Sequence, residues 1–132
     1  MNTFPLIFIL TTMCLAAGPL ARVPPLYDLL GKWEIQSVYH ENVDVTDHYI
    51  QDEHRWIEFD NDFTFVSDGE AYGRKEGRFS LEENTGLLSF DLDLGLGQQS
   101  HWYVEIDGQR MYWTDTGSST AGKIKIILIR VY

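Results

Sequence analysis

The sequence predicts an all-β fold, a single up-and-down antiparallel β-barrel of about eight strands, on three observations. From Leu29 onward, short segments of alternating apolar and polar residues recur roughly every ten to fifteen residues. Turn-forming clusters separate them: Asn61-Asp62, Asn84-Thr85-Gly86 and Asp107-Gly108. No apolar run in this region has helical spacing, so nothing could carry a parallel crossover, and successive strands are expected to pair as neighbours. An open sheet of that size would leave two unpaired edges, which favours closure into a barrel.

Residues 1–21 differ from everything after them. Phe4 to Leu15 is a nearly unbroken apolar run, followed by Ala16, Ala17 and Gly18, the outline of an export signal. The run is about twelve residues, short of the roughly twenty that a membrane-spanning helix needs. Residues 1–21 are therefore expected to be a signal peptide, although residues 1–3 carry no Lys or Arg, and the mature chain is expected to be periplasmic or secreted. Cys14 as a lipid-attachment site is the weaker reading, because Thr11-Thr12-Met13 precedes it in place of the usual Leu-small-small pattern. A chain cleaved after Cys14 has no cysteine and no disulfide. Residues 22–28, with Pro24 and Pro25, read as a linker, and residues 29–132 as the domain.

Within the domain, Gly31 to His40 alternates, with Trp33, Ile35, Ser37 and Tyr39 on one face and Lys32, Glu34, Gln36 and His40 on the other. Residues 42–54 hold a short helix at most. Arg55 to Asp60 and Phe63 to Ser67 form a hairpin about Asn61-Asp62. Gly77, Phe79 and Leu81 share one face of the next strand, and Leu88, Phe90, Leu92 and Leu94 one face of its partner. Asp107-Gly108 joins 100–106 to 109–114. Lys123 to Tyr132, apolar on both faces at its Ile-rich centre, is expected to be the most deeply buried strand.

Composition bounds the function. With 44% hydrophobic and 14% aromatic residues, the 132-residue chain can support a core, and its formal charge of −10 opposes binding to a phosphate backbone, so no nucleic-acid partner is expected. His40, Glu41, Asp44, Asp47, His48, Asp52, Glu53 and His54 crowd one stretch, but their spacing follows no metal-ligand pattern and reads as a hydrophilic connection at the barrel mouth. Asp60-Asn61-Asp62 reads as a turn, since a calcium site needs more ligands. His101 and Glu105 share a strand face at roughly 13 Å, too far apart to pair, and no nucleophile motif or phosphate loop is present. No enzyme activity, metal or cofactor is expected. Trp33, Trp56, Trp102 and Trp113, with seven tyrosines, suit either a narrow packed barrel or an apolar cavity with a few hydrogen-bonding points.

Gly31-Lys32-Trp33 at the first strand and Arg130 in the last resemble the Gly-x-Trp signature of lipocalins and the arginine that packs over that tryptophan. The order from Gly31 through IEFDNDFTF (57–65) and GRFSL (77–81) to Arg130 is most similar to short bacterial lipocalin-like proteins, a calycin-type barrel, and covers nearly all of residues 29–132. Arg130-Val131-Tyr132 also resembles the Arg-x-Tyr motif of fatty-acid-binding proteins, which holds a carboxylate in the cavity; those have ten strands and a two-helix lid, for which 42–54 is too short. Thr114-Asp115 resembles the lipocalin Thr-Asp motif, with Thr116 where Tyr often follows. The resemblance implies an exported binding protein that holds a small apolar or amphipathic ligand in the barrel. Arg130, Tyr132, Trp102, Trp113 and Tyr112 are the candidate contacts, and Gly31, Trp33 and Arg130 the structural signature. The other reading is a protein-interaction or inhibitor domain with a barrel filled by side chains. Arg130 itself is expected to stack on Trp33 and satisfy free carbonyls as a plug of the closed end.

Overall fold

The computed structural model describes residues 24–50, 54–69, 73–96, 100–117 and 123–132, and shows one closed antiparallel barrel. Nine strands lie in one sheet: β1 Gly31–His40, β2 Val43–Asp44, β3 Trp56–Phe59, β4 Thr64–Asp68, β5 Lys75–Glu82, β6 Leu87–Phe90, β7 His101–Asp107, β8 Arg110–Asp115 and β9 Ile124–Val131. Each strand from β3 to β9 pairs with the next, β1 pairs with β3, and β9 returns to β1, so eight strands close the wall. The two-residue β2 extends β1 as a short side ribbon, and closure leaves the eight wall strands no free edge. The architecture is consistent with a calycin-like fold.

Alternation along the strands builds the core. β7 is buried at Trp102, Val104 and Ile106 and exposed at His101, Tyr103 and Glu105, as a strand wet on one face must be. β1 departs from the alternation read in the sequence. A bulge at Gln36 shifts its register on β9, so Trp33 and Ile35 face inward but Val38, not Ser37 or Tyr39, continues the core. An extra residue in one strand adds bend and twist, which closing a small barrel requires.

Two other expectations are corrected. The last strand buries Ile124, Ile126 and Leu128, while Ile127 and Ile129 on its outer face are only half covered, because no second layer packs outside the barrel. The pairing of Asp107 with Arg110 puts Gly108-Gln109 in the tight turn, with Gly108 at the left-handed φ of 62°. Residues 22–28 contain the start of a one-turn helix, α1 Leu26–Leu29, whose Leu29 is fully buried and whose Leu26 packs on the core. A second helical turn, α2 Thr46–Tyr49, falls where a short helix was expected.

The up-and-down path puts alternate connections at opposite ends. The β3–β4, β5–β6 and β7–β8 turns share one end with α1 and the end of β9. The β1–β3, β4–β5, β6–β7 and β8–β9 connections share the other, hereafter the mouth. Residues 51–53, 70–72, 97–99 and 118–122 of those connections, and the expected signal peptide 1–21, lie outside the described residues.

Candidate functional site

The end of the barrel at α1 is shut by a stack of named groups. The Arg130 guanidinium lies 4.2 Å from the centre of the Trp33 ring, and donates from Nη1 to the Leu30 carbonyl at 3.0 Å and from Nη2 to the Asp28 carbonyl at 2.7 Å. Trp33 is fully buried and donates its indole N–H to the Leu29 carbonyl at 2.9 Å. Gly31, at φ 108°, lies under the arginine: a Cβ there would approach Nη1 to 3.4 Å, in a backbone conformation that side chains disfavour. A planar, weakly hydrated cation thus neutralises carbonyls that α1 and the chain after it leave unpaired.

Above the plug, aromatic rings occupy the interior. Phe59 touches Phe79 and Phe90 at centroid distances of 5.0 and 6.0 Å, Phe90 touches Phe65 and Trp113 at 4.9 and 5.6 Å, and Trp113 touches Trp102 at 5.7 Å. Edge-to-face and tilted pairs of this kind contribute about 0.5–1.5 kcal/mol each beyond burial.

Toward the mouth the lining becomes polar. Arg55, one step before Ile57 and Phe59 on their inward face, is 1% exposed, and Ser67 and Asp115 are also buried. Asp115 is committed to the backbone, accepting from Gly117 N at 3.0 Å and Ile124 N at 2.8 Å, while Ser67 donates to the Trp56 carbonyl at 3.0 Å. Trp102 and Trp113 are fully buried, and neither indole N–H has an acceptor among the described residues. A buried donor left unpaired costs about 1–3 kcal/mol, so two on adjacent strands mark the most unusual feature of the interior.

Among the described residues, two segments pack toward the mouth. Val45, Tyr49 and Ile50 pack on the core from the β1–β3 connection. After β6, the expected Leu88 to Leu94 strand stops at Phe90. The Asp93 carboxylate accepts from Gly95 N at 2.7 Å, turning the chain so that Leu94 and Leu96 enter the core at 1% and 2% exposure. Arg55 donates from Nη2 to the Leu94 carbonyl, and Lys75 from Nζ to the Asp93 carbonyl at 2.9 Å. Residues 91–96 thereby form a strap anchored on Arg55, just before β3, and on Lys75 of β5.

The expected contacts therefore divide. Trp102 and Trp113 come together inside the barrel, and Arg130 belongs to the plug. Tyr132 is 92% exposed, with its hydroxyl on Gln109 Oε1, and Tyr112 lies on the outer wall with the Lys125 amine 5.6 Å from its ring centre. Arg130 and Tyr132 share a groove of about 410 Å³ beside the β1–β9 joint with Glu34, Gln36, Ile129 and Val131. Arg55, Leu94 and Leu96 were not foreseen. Stepping back by two from Ile57 and Phe59 would have placed Arg55 inward, but no periodicity signals a strap. Among the described residues no cluster of His, Cys, Asp and Glu could hold a metal; Asp52 and Glu53 of the acidic stretch lie outside them. No protein-family model matches the chain, and no curated protein is significantly similar to it.

Proposed function

We propose that this protein is an exported, lipocalin-like binding protein of bacterial type that holds a small amphipathic molecule in the mouth half of its barrel. The observation that carries this reading is the pair of fully buried indole N–H groups on Trp102 and Trp113, which have no acceptor among the described residues. A ligand bringing an oxygen acceptor beside an apolar body would satisfy donors and rings together, the mixture typical of small-molecule pockets. The Gly31, Trp33 and Arg130 stack shuts the opposite end, so entry is from the mouth. Native mass spectrometry of protein purified from its own host tests the reading: a co-purifying small molecule, lost from a Trp102→Phe/Trp113→Phe variant, is the expected result.

A second reading has its own observation. The ring contacts from Phe79 to Trp102, with Leu94 and Leu96 in the same core cluster, fill much of the interior with the protein's own side chains. A filled barrel would act instead through its acidic surface and mouth loops on a protein partner. An empty native mass spectrum together with capture of one stoichiometric protein partner would favour it.

A further inference from the structure

Resting on the small-ligand reading, we infer that residues 91–96 are a built-in stand-in for the ligand, and that the ligand is an anionic amphiphile with a short aliphatic body. The strap sets two carbonyl oxygens on cations, one buried and one more exposed, and two aliphatic side chains in the core. The Leu94 carbonyl accepts from the buried Arg55 guanidinium, and the Asp93 carbonyl from the Lys75 amine at 2.9 Å, while the Leu94 and Leu96 side chains are in the core at 1% and 2% exposure. Oxygen acceptors on cations beside branched hydrocarbon are what an aliphatic acid would offer the same groups.

The strap is an unusual core element. Past the Asp91 N–H bond to the Arg78 carbonyl at 3.1 Å it belongs to no strand, and the chain turns at Gly95, whose φ is 77°. It leaves the sheet after Phe90 on β6 and crosses to Arg55, the residue before β3, three strands away in the wall. A sheet-bound core residue cannot leave without breaking a ladder; Leu94 and Leu96 can, because among the described residues only a side-chain donor and apolar contacts hold them. When the strap withdraws, the buried Arg55 and the more exposed Lys75 each give up a carbonyl acceptor, and a carboxylate in its place offers charge-assisted hydrogen bonds stronger than those to a neutral carbonyl. The vacated space is that of two leucyl side chains in the same core cluster as the rings of Trp102 and Trp113, whose N–H groups have no acceptor among the described residues. The strap and the ligand thus compete for one place. Apparent affinity is the intrinsic affinity multiplied by the fraction of molecules whose strap is out.

The test uses the full mature chain and three probes of equal chain length: decanoate, decanol and decyltrimethylammonium. Binding is measured by calorimetry, with the indole N–H signals followed by NMR. Wild type should prefer decanoate over both others, and Leu94→Ala/Leu96→Ala should bind decanoate about tenfold tighter while unfolding at a lower temperature, since the competing segment is weakened. Arg55→Gln should abolish the preference for the acid; if that variant fails to fold, Lys75→Gln provides the same comparison from the less buried cation. Weaker binding in the double-alanine variant would show that the leucines line the site rather than stand in for the ligand. Equal affinity for all three probes would reject the anionic class. Either result overturns the inference and leaves the small-ligand reading in place, whereas failure of every probe to bind either protein overturns both.

Discussion

Arg130 is where a single side chain closes one end of the molecule. Its two carbonyl bonds at 3.0 and 2.7 Å and its stack on Trp33 are all internal to the protein, so their contribution does not depend on a ligand. Hydrogen bonds from a charged donor are worth about 1.5–3 kcal/mol, and Gln can replace neither the fork nor the stack. Arg130→Gln should therefore lower the urea midpoint of ligand-free protein. Trp33→Ala, which removes a fully buried ring and the Leu29 bond, should cost about 3–5 kcal/mol, against little for the exposed Glu105→Ala. Equal midpoints for wild type and Arg130→Gln would show that the stack is incidental. A second residue-scale effect lies in the β3–β4 turn, where Phe63 takes a φ of 67° and Asp62 accepts the Thr64 hydroxyl at 2.5 Å. That bond, and more weakly the Thr64 backbone N–H and the Arg78 charge, hold the Asp62 carboxyl below the usual carboxylate range. A folded-state pKa below the unfolded one means that the contribution is present above about pH 4 and is lost as pH falls through the folded value. Unfolding midpoints from pH 7 to pH 2.5 should thus fall less steeply for Asp62→Asn than for wild type, and parallel curves would remove Asp62 from the acid response.

At the scale of elements, β1 shows both what periodicity reveals and where it stops. The Gly31 to His40 strand, the hairpins and the final Ile-rich strand are legible because alternation and turn residues agree with the tertiary structure at those places. Local pattern cannot show that Gln36 is an extra residue, since a bulge is fixed by pairing with β9, a strand about ninety residues away. The same blindness hid the strap. Leu88, Phe90, Leu92 and Leu94 alternate as one strand would, yet the bond from Gly95 N to Asp93 and the Arg55 anchor take Leu94 out of the sheet. Trp102 and Trp113 were legible as inward aromatics, but that their N–H groups lack acceptors is a property of the assembled interior. The bulge yields a sharp prediction. Deleting Gln36 leaves Trp33, Ile35 and Val38 on one face and aligns Ile35 and Ser37 with their present partners Leu128 and Ile127, whereas deleting Glu34 turns Trp33 and Ile35 to opposite faces. The Gln36 deletion should keep the near-ultraviolet dichroism of the native rings with a lower Tm, and the Glu34 deletion should lose it. Loss in both would mean that the bend made by the bulge, and not the facing of the side chains, is what the barrel requires.

Over the whole molecule, the joint between the first and last strands decides whether there is a barrel. β1 meets β9 over a register running from Lys32 opposite Val131 to His40 opposite Ile124, and among the described residues no other strand pairing links the two ends of the strand series. With the joint made, no wall strand is an edge; with it broken, β9 presents one open edge and β1 another, and the β9 edge carries the sequence Ile124-Lys125-Ile126-Ile127-Leu128-Ile129, rich in β-branched residues. The formal charge of −10 opposes association between intact molecules but does not mask a strand edge of this composition. A proline at Ile126 removes a ladder donor in the middle of β9 and should therefore do more than destabilise. The comparison is Thr85→Pro in the exposed β5–β6 turn, which leaves the joint intact. Light scattering at 37 °C should show Ile126→Pro associating at concentrations where Thr85→Pro remains monomeric, even after denaturant has been used to bring the two to equal unfolded fractions. Equal association at equal unfolded fraction would assign the hazard to the unfolded chain in general, and not to the opened joint.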